Sequence, residues 1–270
     1  MRQRLLRWGA YLLVAAAFAV VCGLLSQWQF DRNEQTTTQI ALVERNYDAT
    51  PVPLDDLIGA DGRLPAEAEW HPVRLQGQYL TDQQLLARNR PHGGTSAFEV
   101  LVPFQDRSGR TLLVDRGWVR PAEDSSPGIV PAPPAGDVTV IVRLRPGEQL
   151  PASGRGAPAG QVPTINLPTI ADHVNPDLVT GAYGQLASED PAPATHLGGF
   201  DSPTEDPGPH LSYAIQWILF AIMGFAFIGY IIRTEIVKAK EDAGERPKRE
   251  KRRRDHDADD EDALLDAVAR

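Results

Sequence analysis

Two long runs without a charged residue stand near the two ends of the chain, and the stretch between them alternates. The first runs from Trp8 to Leu25 and the second from Leu211 to Ile232. At about 1.5 Å rise per residue the second is roughly 33 Å long as a helix, enough to cross a hydrocarbon core of ~30 Å. Arg2, Arg4 and Arg7 precede the first run, and Arg233, Lys238 and Lys240 follow the second. That placement predicts cytoplasmic ends and a loop on the far side of the membrane. The first run shares its basic start with a secretory signal peptide, but no Ala-x-Ala site follows it, so it reads as an uncleaved span. Ala15, Ala19 and Gly23 fall at i, i+4 and i+8 and predict a smooth side for close approach of the second span.

Between the runs the period changes. Residues 26–46 carry polar spacing that suits a helix continuing the first span, with Trp28 and Arg32 as i, i+4 neighbours on one face. Asp55-Asp56 after Pro51 and Pro53 predicts a short helix or turn. Strands are predicted over 70–77, 83–89, 98–104, 111–119 and 137–145, the third and fourth joined by a turn at Asp106–Arg110. Residues 125–136 read as a Pro-rich linker. Over 146–208 a short helix at 169–174 and a strand at 184–188 interrupt irregular chain. The predicted fold class is an α+β membrane protein: two transmembrane helices at the chain ends flank a mostly antiparallel, barrel- or sandwich-like extracytoplasmic domain. The segments are 1–7 (cytoplasmic), 8–27 (transmembrane), 28–209 (extracytoplasmic), 210–232 (transmembrane) and 233–270 (cytoplasmic tail).

Composition narrows the picture. The 270 residues are 42% apolar with a net charge of −9, and a mean hydropathy of −0.29 excludes a polytopic transporter. Acidic balance argues against nucleic acid as a partner. Residues 33–210 hold 12 arginines, no lysine and 23 acidic residues, which agrees with a translocated loop. The one cysteine, Cys22, lies in the first run, so neither an internal disulfide nor a Cys-based metal site is available. The basic block 246–254 and the acidic block 255–262 read as a solvated, disordered tail that fixes topology, or as a headgroup contact.

Motifs for nucleophilic, phosphate-binding or zinc-peptidase chemistry are missing, which points away from an enzyme. His71, His92, His173 and His196 are scattered without ligand spacing. His210 differs, because it stands at the mouth of the second span with Tyr213 and Trp217 at i+3 and i+7. A neutral imidazole there suits haem iron as an axial ligand. Arg32 is placed for a propionate, and Trp28, Tyr213 and Trp217 for the macrocycle's faces. The plainer reading of the same residues is an interfacial aromatic belt with a polar helix cap. Asp115-Arg116-Gly117-Trp118 ends a strong strand and reads plainly as a tight turn with an Asp115–Arg116 pair.

Three motifs now carry a resemblance: Trp28-Gln29-x-x-Arg32 after the first span, Leu112–Val119, and His210-Leu211-x-Tyr213-Ala214-x-x-Trp217 opening the second. In this order, within a two-span frame, the chain resembles the Surfeit locus protein 1 family over residues 5 to about 235. Residues 146–208 and the charged tail depart from the mitochondrial pattern and point to a bacterial, actinobacterial member. The resemblance implies a plasma-membrane assembly factor for aa3-type cytochrome c oxidase, without turnover of its own, that helps deliver haem a to the catalytic subunit. It implies transient haem a as cofactor, and the catalytic subunit, haem a synthase and the lipid bilayer as partners. It makes His210 the metal ligand, with Tyr213, Trp217, Trp28 and Arg32 as pocket residues. Arg116 and Trp118 are the expected partner-binding residues. The alternative is a scaffold that holds an oxidase subunit during maturation, or stays on the respiratory complex, without binding haem.

Overall fold

A computed structural model describes residues 2–59, 62–154, 156–203 and 206–244; the charged blocks at 246–262 lie outside them. The chain divides into two compact units, residues 1–33 with 209–270, and residues 34–208.

The first unit is a helix pair. Helix α1 (Arg2–Asn46) continues without a break through the polar stretch after the first apolar run, and its last residues belong to the second unit. Helix α3 (His210–Asp242) begins at His210 and continues ten residues past Ile232. Both are long and apolar enough to cross a membrane. Their outer faces are large and apolar: Leu13, Val14, Val20 and Leu24 on α1, and Leu219, Ile222, Met223 and Phe227 on α3, are each more than half exposed. So much exposed apolar surface suits lipid rather than water.

The covered positions of α1 along its apolar run include Trp8, Tyr11, Ala15, Ala19, Cys22, Ser26 and Gln29. Those of α3 include His210, Ala214, Trp217, Ala221, Gly224 and Ile228. Both sets advance in steps of three and four, the signature of a helical seam. The expected stripe is therefore only partly right: Gly23 is exposed with no neighbour, and Cys22 and Ser26 take the seam. Steps of four turn a helix by 400°, so a strict i, i+4, i+8 row drifts off the contact face. Trp8 Nε1 donates to Glu235 Oε2 at 2.8 Å near one end of the pair. Ser26 Oγ donates to the Ala214 carbonyl at 2.9 Å near the other. Between them, a Cβ on Gly224 would lie 3.2 Å from Phe18, so its absence lets the ring pack. The helices run antiparallel in one fixed register.

The second unit is built on an eight-stranded mixed sheet: β1 (Val52–Pro53), β2 (Pro72–Tyr79), β3 (Leu85–His92), β4 (Thr95–Asp106), β5 (Thr111–Val119), β6 (Val138–Arg145), β7 (Gln161–Val162) and β8 (Tyr183–Asp190). Their order is β1-β2-β6-β8-β5-β4-β3-β7. Pairs β1–β2, β3–β7 and β5–β8 are parallel and the others antiparallel. The end of β2 also pairs with β4, from Gly77↔Asp106 to Tyr79↔Phe104, so part of the sheet curls back on itself. At Gly77 a Cβ would run into the Gln105 carbonyl, so only glycine allows this approach. β1 and β7 remain as two-residue edges. Of the mostly antiparallel, barrel- or sandwich-like domain the sequence predicts, the antiparallel majority is present, but the sheet is mixed and is not a closed barrel. The parallel pairs β3–β7 and β5–β8 join strands distant along the chain, which local turn signals do not encode.

Strands β4 and β5 are buried on both faces. Val100, Val102, Phe104, Leu112 and Val114 pack into one core with Val73, Leu75, Val140 and Val142. Leu101 and Leu113 face a second core under helix α2 (Leu167–Val174), with Ile165, Leu167 and Ile170. Asn166 caps α2 by accepting from Thr169 N. This double burial explains continuous apolar runs where a one-faced sheet would alternate. In β6 one face is half-exposed, and the pattern Val-Thr-Val-Ile-Val-Arg-Leu-Arg alternates.

Charges enter this interior as a network. Arg90 bridges Glu99 at 2.6 Å and Glu148 at 2.7 Å, and His92 Nε2 meets Glu99 Oε1 at 2.9 Å. Asp115 sits beside it, 1% exposed, and accepts from Gly117 N. Burial, then the charge of Glu99, pushes the Asp115 carboxyl well above its usual range. Burial also pushes the Tyr183 hydroxyl up, with the Asp115 charge adding to it. Burial would raise Glu148 too, but the Arg90 and Thr164 hydrogen bonds hold it below the ordinary value.

Two predictions follow from these contacts. Asp115 has a folded pKa above its unfolded one, so stability falls as pH rises from about 4, the ordinary carboxylate range, through the raised value. Asp115→Asn keeps the acceptor for Gly117 N and should flatten that decline in thermal melts of the detergent-solubilised chain; an unchanged slope refutes the assignment. Gly117 has φ +131°, and a Cβ there would meet the Gly198 carbonyl and Leu197 Cβ. Gly117→Ala should therefore destabilise the fold by about 2–4 kcal/mol in denaturant titration.

Candidate functional site

The residues singled out in the sequence fall in two places, one in each unit. In the helix pair, His210 is the first residue of α3, half-buried, with Pro209 before it. His210 Nδ1 lies 2.9 Å from Gln29 Oε1 on α1. Ser26, one turn earlier on α1, bonds Ala214, one turn later on α3, so two polar rungs stand side by side. Trp217 lies half-buried on the same seam, its ring edge-on to Phe220 at 5.7 Å between centroids. Tyr213 is 47% exposed and Trp28 58% exposed, both beside the seam rather than in it. Arg32 is exposed on α1, one turn beyond Gln29. The helix pair brings His210 and Gln29 together with Trp217 on the same seam, and it leaves Tyr213, Trp28 and Arg32 on the flanks.

Gln29 belongs to the Trp-Gln-x-x-Arg motif, but sequence reasoning gave it no role. Its partner is 181 residues away, beyond the reach of any local pattern.

Arg116 and Trp118 lie inside β5 rather than in a turn. Successive strand residues point to opposite faces, so Asp115 and Arg116 do not pair with each other. Arg116 Nη2 instead bridges Glu189 Oε1 at 3.0 Å, with the two side chains 1% and 6% exposed. Its Nη1 donates to the Pro131 carbonyl at 3.2 Å, and its guanidinium stands 5.2 Å from the Tyr79 ring. Tyr79 OH donates to the other Glu189 oxygen at 2.9 Å. Burial, followed by the Glu189 charge, pushes the Tyr79 hydroxyl far up, which keeps it a donor. Arg116 therefore presents no charge to solvent. Trp118 stacks on His92 at 5.2 Å and 4° between planes, and Phe200 tilts onto the same imidazole. Its indole donates to the Gly199 carbonyl at 2.8 Å, and its backbone exchanges hydrogen bonds with Gly198. Glu189, Tyr79 and the 198–200 segment were missed in sequence, because each meets β5 only through the fold.

The donor set bears on what could bind. Among the described residues no group of three or more His, Cys, Asp or Glu side chains could hold a metal ion. A bare zinc or similar ion needs three or four such ligands. Iron in a macrocycle already has four nitrogens and needs only one or two from protein. An amide oxygen can only accept, so toward Gln29 Oε1 the imidazole of His210 donates from Nδ1, and in the neutral ring that would leave the Nε2 lone pair free for a ligand. One imidazole with a ligating nitrogen to spare fits haem and does not fit a bare ion.

Residues 16–222 match the SURF1 family. SURF1-like proteins of Mycobacterium bovis and of two strains of Mycobacterium tuberculosis are 38% identical over 247 residues, covering 89% of this chain and 89% of each relative. This chain therefore belongs to the SURF1 family, known in general as oxidase assembly factors.

Proposed function

We propose that this protein is a plasma-membrane assembly factor for aa3-type cytochrome c oxidase that holds haem a and hands it to the catalytic subunit, with no turnover of its own. Both apolar helices span the bilayer in this reading, with both termini cytoplasmic and residues 34–208 on the outer side. The observation that carries it is His210 at the start of α3, with Nδ1 engaged by Gln29. His210 would ligate the iron through Nε2. Tyr213, Trp217 and Trp28 offer aromatic surface to a flat apolar ring, and Arg32 offers a cation for a propionate. Haem a itself, once passed on, supplies the redox chemistry of the oxidase. Haem a synthase and the oxidase catalytic subunit are the partners on either side of the transfer.

A second reading rests on the Trp118–His92–Phe200 cluster, half-exposed on the sheet domain. That aromatic surface would dock an oxidase subunit, and the protein would act as a scaffold with haem incidental. Arg116 would then act on docking only by holding the fold.

Purification from cells making haem a tests the first reading. Wild-type protein should carry a haem spectrum in reduced-minus-oxidised difference, and His210→Ala should lose most of it while remaining in the membrane fraction. Equal spectra would remove His210 as ligand and leave the scaffold. For the sheet domain, Arg116→Met leaves Glu189 buried without its counter-charge, and should cost about 3–5 kcal/mol in stability. Adding Glu189→Leu should recover most of that loss. A double variant that regains stability but not oxidase-subunit capture would show that Arg116 itself is recognised.

A further inference from the structure

Gln29 and His210 meet across the seam at 2.9 Å, with the carboxamide oxygen facing Nδ1. The contact is not needed to join the helices. Ser26 already bonds Ala214 one turn away, and Trp8 bonds Glu235 near the far end. Gly224 against Phe18 sets the spacing between them. The register is thus fixed three times over without Gln29. What the carboxamide adds is direction: it selects one tautomer of a neutral imidazole and stops the ring from turning about its last torsion.

A free imidazole exchanges its proton between two nitrogens, and only the nitrogen without the proton can bind a metal. Metal-bound histidines almost always donate their other N–H to a fixed acceptor, which sets ring orientation and raises ligand basicity. Gln29 Oε1 is such an acceptor. It is neutral, and it sits on the rigid body of α1 rather than on a loop. Its neutrality matters as well. A carboxylate at this place would draw the Nδ1 proton further and make Nε2 a stronger donor to iron.

We propose that Gln29 is the positioning residue for His210: its carboxamide oxygen holds the Nδ1–H tautomer and presents the Nε2 lone pair to the haem iron. This rests on the reading of His210 as ligand. It goes further in assigning to the glutamine of the first-span motif a task that can be measured without haem.

The experiment uses the full-length protein in detergent and has two arms. In the first, without haem and above the ordinary imidazole pKa, 15N shifts of His210 report which nitrogen bears the proton. Wild type and Gln29→Glu should show Nδ1–H, and Gln29→Leu should shift toward the Nε2–H form. In the second arm hemin is titrated into each protein. Gln29→Leu should bind about 10- to 100-fold more weakly than wild type. Gln29→Glu should retain binding and lower the midpoint potential of the bound haem, a change that a purely structural role would not produce. Ser26→Ala, which removes a seam bond without touching His210, should leave the tautomer in place. The proposal is overturned if wild-type His210 carries its proton on Nε2, or if Gln29→Leu changes neither tautomer nor hemin affinity. Should His210→Ala leave the hemin spectrum unaltered, the ligand reading falls and this proposal with it. Should His210→Ala abolish the spectrum while Gln29→Leu behaves as wild type, only the role of Gln29 falls.

Discussion

Two apolar helices surrounded by lipid, as the proposed reading has them, would gain nothing from hydrophobic burial against one another, so packing and a few polar bonds would have to hold them. That constraint shapes the whole of the first unit. Ala15, Cys22 and Ser26 on α1, and Ala214 and Gly224 on α3, are small, and small side chains let two backbones approach. The polar contacts are concentrated where the runs end: Trp8 with Glu235, and Ser26 and Gln29 with the first turn of α3. A hydrogen bond is worth more where water is scarce, because the alternative is an unpaired group in hydrocarbon. The result is a register that cannot slip by one residue without losing all three bonds. Every property ascribed to His210 depends on that register, since a slip would carry Gln29 past it.

The sheet domain solves a different problem. Strands β4 and β5 are covered on both faces, yet β5 includes Asp115 and Arg116. Each is accommodated on its own side of the strand, Asp115 with burial favouring its neutral acid and Arg116 in an ion pair. Asp115 turns toward the Arg90–Glu99–Glu148 network, and Arg116 turns toward Glu189 and Tyr79. Gly117 lets the backbone draw close to Gly198, and Trp118 then closes over His92. The four residues of this motif therefore have four separate structural tasks. Removing Arg116 alone leaves Glu189 without its counter-charge in a water-poor interior, which is far more costly than never having built the pair.

Much of this could be read from the chain. β5 runs from Thr111 to Val119, the same span its composition predicts, because a dense apolar run bounded by the Asp106–Arg110 turn has few alternatives. That turn forms as its residues demand, with Asp106 Oδ1 accepting from Ser108 and Arg110 N–H groups and Gly109 at φ +88°. The helix through 26–46, the short helix near Thr169 and the strand at Gly184 also lie where local pattern puts them. Illegible were the relations between distant segments. Sheet order is one: β6 sits between β2 and β8, and β8 runs parallel to β5. The Arg116 partner is another, since the neighbouring Asp115 was the obvious choice in sequence and the strand pleat forbids it. The site was half legible: His210 stood out by its place at a helix mouth, whereas Gln29 did not, because an amide among polar neighbours carries no pattern of its own.

The choice of an amide beside His210 has a bearing on what kind of holder this would be. An enzyme that keeps its haem through many turnovers gains from a strongly basic ligand, and a carboxylate hydrogen-bonded to the imidazole supplies one. A carrier has the opposite need. It must bind well enough to collect the group and weakly enough to lose it to the next protein, so a neutral acceptor that fixes direction without adding charge suits the task. One protein ligand rather than two would serve the same end, because each further bond to iron would have to break at transfer. In the proposed reading, the geometry at the mouth of the helix pair is that of a group held in a defined orientation by modest forces, and orientation is what the receiving subunit would need.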